Sequence, residues 1–370
     1  MLGYYKMSII GTSHQAKENG VCQDASDVEI LDNGWIVAAI ADGLGSAKKS
    51  EVGAATAVKT VLSFVKENRP DLWHEESLIS LLRIAYHKAM KAIILVSEEN
   101  KDDLSDYDTT LTTIIYNGVN VVYGHVGDGG VITLSSFGDF SVLTEAQKGE
   151  SFNETYPLRA GPYSWNFGVS KEDVCALTMM TDGIFDVACP WLLAKTEQPI
   201  YINFIRPFMD MNLINATTQE DFENVQSEMI EFFTGKDCTR ITDDKTIVGI
   251  INTSIIPETK DADFYIEPNW KKLAQNLHDH LYADDNLGYS DKQTTENNES
   301  LIDNLNQKQS KDFSTSILDK TNQVNNTVNN ENPIEQTDIK QNNQFKEREI
   351  QILYGPPKES ILNKFLRRIS

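Results

Sequence analysis

Trp35-Ile36-Val37-Ala38-Ala39-Ile40-Ala41-Asp42-Gly43-Leu44-Gly45-Ser46 is the stretch on which the fold turns. Its seven leading apolar residues, several of them β-branched, read as a buried strand. The run stops on a carboxylate followed by a Gly-x-Gly turn. A sheet holds such an acid in place, and the glycines let backbone carbonyls and amides come close to a ligand. The device recurs twice. Leu177-Thr178-Met179-Met180-Thr181-Asp182-Gly183 ends an apolar run on Asp-Gly, and Thr242-Asp243-Asp244-Lys245-Thr246-Ile247-Val248 starts a strand from paired acids. Carboxylates at strand ends, with no matching His or Cys set, point to hard divalent cations such as magnesium or manganese.

The rest of the composition narrows the class. The chain has 370 residues, enough for one large domain with a tail or for two or three domains. A net charge of -22 argues against nucleic acid or an anionic membrane as the general partner. Cys22, Cys175, Cys189 and Cys238 show no C-x-x-C spacing, so no structural zinc site is expected. They read as reduced thiols of a cytoplasmic protein. No signal peptide and no apolar stretch near the ~20 residues of a spanning helix is recognisable.

Outward from the central strand, residues 4–13 read as an opening strand and His14 to Gly20 as a polar turn. Gln23-Asp24 leads into a short strand at Val28 to Leu31, and Asp32-Asn33-Gly34 is a hairpin signal. Helices are expected from Ser50 to the Arg69-Pro70 break and from about Glu75 to Ser97. Strands follow at 109–116, 119–126, 131–134 and 140–143, a meander that implies a largely antiparallel sheet. Segment 145–173 is irregular and could be a flap or a plain connection. A strand at 174–180, helices around 199–213 and 219–234, and a strand at 246–252 complete a sandwich with sheets inside and helices outside. The expected domain runs 1–256, with an extension at 257–283. Residues 284–345, dominated by Asn, Gln, Ser, Thr, Asp and Lys, read as a disordered linker. Within 346–370, Ser360 to Ile369 has the pattern of an amphipathic helix suited to docking, in cis or on a partner.

Acids able to hold two ions roughly 3.5–4 Å apart can activate water for in-line attack on phosphorus. The chemistry these parts assemble most naturally is phosphate-ester hydrolysis. Here the sequence resembles the metal-dependent, type 2C serine/threonine protein phosphatases of the bacterial-type branch, over roughly residues 8–252. The resemblance rests on Gln23-Asp24, Asp42-Gly43-Leu44-Gly45, Gly124-His125-Val126-Gly127-Asp128, Thr181-Asp182-Gly183-Ile184-Phe185-Asp186 and Asp243-Asp244-Lys245-Thr246, in that order. It implies an α+β fold, a four-layer αββα sandwich of two mainly antiparallel sheets flanked by helix pairs. By the same resemblance Asp42, Asp182 and Asp243 are the catalytic acids. Asp42 bridges two Mn2+ or Mg2+ ions, the Gly43 carbonyl faces the second, and Asp24 orients its waters. Asp128 suits a third, weaker ion, while Asp186 and Asp244 give support. The implied substrate is a phosphoprotein, with a Ser/Thr kinase as a candidate partner for 346–370.

The departures concern the substrate. The arginine that many members carry before the Asp24 position is replaced by Glu18-Asn19-Gly20-Val21-Cys22, leaving His14 or Lys17 as candidates for the substrate phosphate. Leu44 stands where eukaryotic members have a histidine, and Gly-Asp-Gly-Gly replaces Gly-Asp-Ser-Arg. These changes open an alternative, a catalytically weak regulator of the same fold that binds a phosphoprotein or kinase. Asp42-Gly43-Leu44-Gly45 lacks the third glycine of a dinucleotide loop, with Lys48 in its place, and no Walker loop is present.

Overall fold

The alternating pattern of Leu2–Ile9 forms strand β1, which puts Tyr5 and Met7 into the core. The computed structural model describes residues 1–16, 20–148, 155–214 and 216–281. Lys17, the expected linker 284–345 and the segment 346–370 lie outside these residues. The chain divides into two compact units, the first running Met1–Asn269 and the second beginning at Trp270. Among the described residues the second unit is α7 (Trp270–Leu281).

The first unit holds two five-stranded antiparallel sheets. One contains β2 (Ala25–Ile30), β3 (Ile36–Ala41), β4 (Leu111–Tyr116), β5 (Val121–Val126) and β8 (Asn166–Val169), in that order. The other runs β1, β10 (Lys245–Asn252), β9 (Val174–Met180), β6 (Gly130–Ser135) and β7 (Phe140–Val142). Their facing surfaces share an apolar layer that includes Ile36, Ala38, Ile40, Ile114, Leu177, Met179, Val248 and Ile250. Alternate residues of a strand point to opposite faces, so Val37, Ala39 and Ala41 turn outward. They meet helix α2 (Ser50–Asn68), whose small Ala54 and Ala57 share their apolar cluster, while Gly53 lets the helix abut the Tyr107 carbonyl. Helix α3 (Glu75–Asn100) packs beside α2 through Leu78, Leu82, Ala85 and Ala89.

The outer layer on the other sheet is assembled from α4 (Asp182–Ala188), α5 (Ile202–Ile205) and α6 (Gln219–Thr234), with Phe208, Phe222, Met229 and Phe233 as its apolar face. Each sheet thus carries helices on its outer face, the four-layer αββα arrangement.

Several local expectations are corrected. The polar turn after β1 contains one helical turn, α1 (Thr12–Gln15). The segment 145–173 contains a strand, β8, paired with β5. Asp182-Gly183 opens helix α4 rather than a turn. The helix expected at 199–213 is cut to α5 and a 3-10 turn at Arg206–Phe208, because Pro207 has no amide hydrogen with which to continue it. No helix among the described residues is long and apolar enough to cross a membrane.

Candidate metal centre

The strand registers bring the acids together before any side chain is considered. Ala25 pairs with Ala41, so Asp24, one residue ahead of β2, falls opposite Asp42, one residue past β3. Gly130 pairs with Met180 between β6 and β9, so two residues further Asp128 falls opposite Asp182. Ile247 pairs with Met180 between β10 and β9, which carries the start of β10, and with it Asp243, to the same end of the sandwich. Five acids separated by up to 219 positions in sequence (243 − 24) are therefore gathered at one end by antiparallel pairing.

Threonines fix the backbone at these ends. Thr110 Oγ1 accepts the Asp42 amide at 2.8 Å, while the Thr110 amide and the Thr109 hydroxyl both donate to the Asp42 carbonyl at 2.8 Å. The Gly43 amide donates to the Gln23 carbonyl at 3.2 Å. A Cβ on Gly43 would lie 2.7 Å from that carbonyl and from Ser50 Cβ, so only glycine fits between β2 and the start of α2. Thr181 Oγ1 donates to Asp24 Oδ2 at 2.9 Å and joins the two sheets across the site. Gly127, with φ +127° and Thr110 packed against it, sets the turn that presents Asp128.

The cluster is electrostatically loaded. Removal from water pushes the Asp24 carboxyl well above the usual range, and the Asp244 charge adds to this against hydrogen bonds from Thr246 and Thr181. Asp42 is raised by the same desolvation and by Asp24 and Asp182. Asp182 is pushed up to about 7, by desolvation first and then by Asp128 and Asp243. Asp128 is raised by desolvation, with Lys148 and Thr155 opposing. Asp24 Oδ1 and Asp182 Oδ1 are buried oxygens with no hydrogen-bond partner. Buried acceptors without donors are costly, and a divalent cation is what an all-oxygen set of this kind satisfies.

The paired acids of the third motif separate in role. Asp243 is exposed toward solvent, whereas Asp244 is buried. Asp244 accepts the Gly11 amide on Oδ1 and the Gln23 amide on Oδ2, both at 2.6 Å, and ties β1, β2 and β10 together. His14 is also buried, with Nδ1 at 3.0 Å from Asp244 Oδ2, a close approach that does not meet hydrogen-bond geometry. Its imidazole therefore faces an acid inside the fold. His14, Asp243 and Asp244 offer ligand atoms within 4.8 Å of one another. Asp186 lies one helical turn after Asp182 in α4 and accepts Lys148 Nζ on both oxygens, at 3.0 and 3.1 Å. Lys48 reaches Asp106 at 3.1 Å instead of entering the cluster.

Thr109, Thr110 and Lys148 are the participants that sequence reasoning missed. The threonines sit in ordinary β-forming runs, so nothing in their spacing sets them apart. Lys148 belongs to the segment read only as irregular.

Two facing sheets with paired outer helix layers and acids at one shared end define the protein phosphatase 2C class of fold. The family model described as Protein phosphatase 2C matches residues 10–232, and the chain belongs to that family. A structure of a bacterial serine phosphatase is similar at 15% identity and a TM-score of 0.50, covering 70% of this chain and 100% of that one. The serine/threonine phosphatase PstP/Ppp of Mycobacterium tuberculosis is similar at 15% identity and a TM-score of 0.47, covering 70% of this chain and 99% of the other. A catalytic domain of PstP in complex with two manganese ions gives 15% identity, a TM-score of 0.44, and coverage of 68% and 97%. At 15% identity the likeness to the first of these speaks to the fold alone. The comparison with curated proteins gives no match.

Proposed function

We propose that this chain is a divalent-metal-dependent phosphatase acting on phosphoserine or phosphothreonine in a phosphoprotein. The observation that carries the reading is the carboxylate cluster at the sheet ends, with the buried oxygens Asp24 Oδ1 and Asp182 Oδ1 unpartnered and the Asp24, Asp42 and Asp182 carboxyls held above their usual range. Without bound cations such a cluster is self-repelling and poorly solvated. Family membership supplies the second support.

In this reading Asp42, Asp182 and Asp243 are the catalytic acids, and with Asp24, Asp128 and the Gly43 carbonyl they would hold two Mn2+ or Mg2+ ions and a weaker third. Bound divalent cations supply positive charge that activates water and stabilises the phosphoryl group in the transition state. The chain's own residues do the positioning. Thr109 and Thr110 fix the Asp42 backbone, Thr181 orients Asp24, and Asp244 locks the strand ends on which Asp24 and Asp243 stand. In the reaction the water oxygen bonds to phosphorus, the bond from phosphorus to the seryl or threonyl oxygen breaks, and the leaving oxygen takes a proton. The thiols of Cys22, Cys175 and Cys189, which form no disulfide among the described residues, fit a reducing, cytoplasmic setting. The segment 346–370, outside the described residues, is proposed as a docking element for a partner such as a kinase.

The test is turnover of an aryl phosphate and a phosphothreonine peptide with Mn2+, Mg2+ or chelator, for wild type and Asp182→Asn. Metal-dependent hydrolysis that the variant loses is the expected result. Manganese binding without hydrolysis would replace the enzyme with a regulator of the same fold, and no manganese binding would end both.

A further inference from the structure

We propose that Lys148 is the residue of this chain that contacts the substrate phosphate, and that Asp186 holds its ammonium group when no substrate is bound. This rests on the phosphatase reading and assigns its phosphate-binding cation. A phosphorylated side chain approaching the sheet ends where Asp24, Asp42, Asp128, Asp182 and Asp243 gather meets like charge. Cations bound among those acids offset part of this, but a protein cation on the rim is needed to draw the phosphate in and orient it. The pre-Asp24 stretch contains no arginine.

Among the described residues, the other basic side chains near the cluster are turned elsewhere. His14 faces Asp244 inside the fold. Arg159 is clamped in a two-pronged pair on Asp108, at 2.7 and 2.6 Å. Lys48 and Lys49 pair with Asp106 and Asp102. Lys245 is 2% exposed at the foot of β10. Lys148 differs in that its side chain remains 31% exposed while its charge acts on the cluster, favouring the ionised form of Asp128.

Its position is set by the backbone. After β7, the Leu143 amide donates to the Val131 carbonyl at 2.8 Å, and Thr144 Oγ1 accepts the Val131 amide at 3.0 Å. Gln147 then grips Gly127 twice: its amide donates to the Gly127 carbonyl at 2.7 Å and its Oε1 accepts the Gly127 amide at 3.0 Å. Lys148 is the next residue after this clasp, and Asp128 is the next residue after Gly127. The lysine is thereby delivered beside the acid cluster. Asp186, four residues after Asp182 on one helical face, receives it there. A half-exposed lysine–carboxylate pair is weak in water, and lysine is a flexible point charge, so exchange of Asp186 for a phosphate dianion is easy.

The alternative role for Lys148 is to hold the connection after β7 in place through Asp186, and the experiment separates the two. With the full chain and Mn2+, Lys148→Ala should raise the KM for a phosphothreonine peptide about tenfold or more, with a smaller change in kcat, and Lys148→Arg should restore much of it. Asp186→Asn releases the lysine and should lower KM. Fluorescence anisotropy of the labelled peptide should show the same order of affinities, with no effect on the unphosphorylated peptide. Manganese affinity by calorimetry should stay within about twofold of wild type for Lys148→Ala. A Lys148→Ala protein that binds the phosphopeptide as wild type does would overturn the assignment, as would Asp186→Asn raising KM in step with Lys148→Ala. Should wild type bind but not hydrolyse the peptide, the enzyme reading fails while the binding comparison still decides the role of Lys148.

Discussion

At Asp182 the carboxyl is taken out of water and faces Asp128, Asp243 and Asp186, which pushes it up to about 7. In the unfolded chain an aspartate titrates near ~4. Between those two values the folded protein holds a proton that the unfolded chain has released, so stability falls as pH rises through that window. Chelated wild type should therefore lose thermal stability between about pH 4 and 7. Asp182→Asn should flatten that loss, melt above chelated wild type at pH 7.5, and converge with it near pH 4. Melting curves with EDTA across that range measure this, and a variant that melts below wild type at pH 7.5 would show that the acid is not strained. Asp244 makes the opposite case, since its oxygens satisfy the buried Gly11 and Gln23 amides. Each donor left unpartnered costs about 1–3 kcal/mol, so urea denaturation of Asp244→Ala should show a loss of several kcal/mol, with Asp244→Asn losing less. A loss within error of zero would refute the clasp.

Elements are where the sequence was most and least legible. β3 could be read directly, because an unbroken apolar run with β-branched residues that ends on Asp-Gly has few other meanings. The gathering of Asp42, Asp182 and Asp243 followed from the same sign at three strand ends. β8 could not be read: it is four residues long, has Gly168 inside it and follows Gly161-Pro162, so nothing local favours extended backbone. Its strand state comes from β5 on one side and from aromatic packing, with Phe167 at 5.1 Å from Tyr86 and Trp165 at 5.7 Å. The helix at Asp182 was hidden for a related reason. Gly183 reads as a turn residue, yet its lack of a side chain is demanded by the Asp244 carbonyl, which a Cβ would meet at 2.2 Å. That neighbour is 61 positions away (244 − 183), beyond any local pattern. The same packing makes a prediction for the segment between Lys148 and β8. Trp165 is 7% exposed and its indole donates to the Leu158 carbonyl at 3.0 Å, beside the Arg159–Asp108 pair. Trp165→Ala should cost about 3–5 kcal/mol and make the connection before β8 the first site of limited proteolysis. Unchanged cleavage would mean that this segment is held by other contacts.

For the whole molecule the question is where the folding free energy of the acid cluster comes from and how much chain supplies it. The buried members of three apolar layers, one between the sheets and one under each set of helices, lie within residues 5–251. Residues beyond 256 still add to this unit. The Glu258 amide bonds the Ser136 carbonyl at 2.9 Å, Lys260 pairs with Asp139 at 2.8 Å, and Arg206 lies 3.9 Å from the Tyr265 ring centre. A boundary at 256 would cut these contacts, whereas one at 269 keeps them all. Such a core can hold mutually repelling acids in place without metal, at a cost that bound cations then remove. Binding at a free concentration a hundredfold above Kd stabilises a fold by about 2.7 kcal/mol. A chain ending at residue 269 should therefore fold, gain the same melting-temperature increment from Mn2+ as the full chain, and turn over an aryl phosphate within about threefold of it. A chain ending at 256 should melt lower in both states while keeping the increment, because the contacts it loses lie away from the acids. If the 1–269 protein folds but Mn2+ no longer raises its melting temperature, residues past 269 take part in the metal centre, and the division of labour between the two units is wrong.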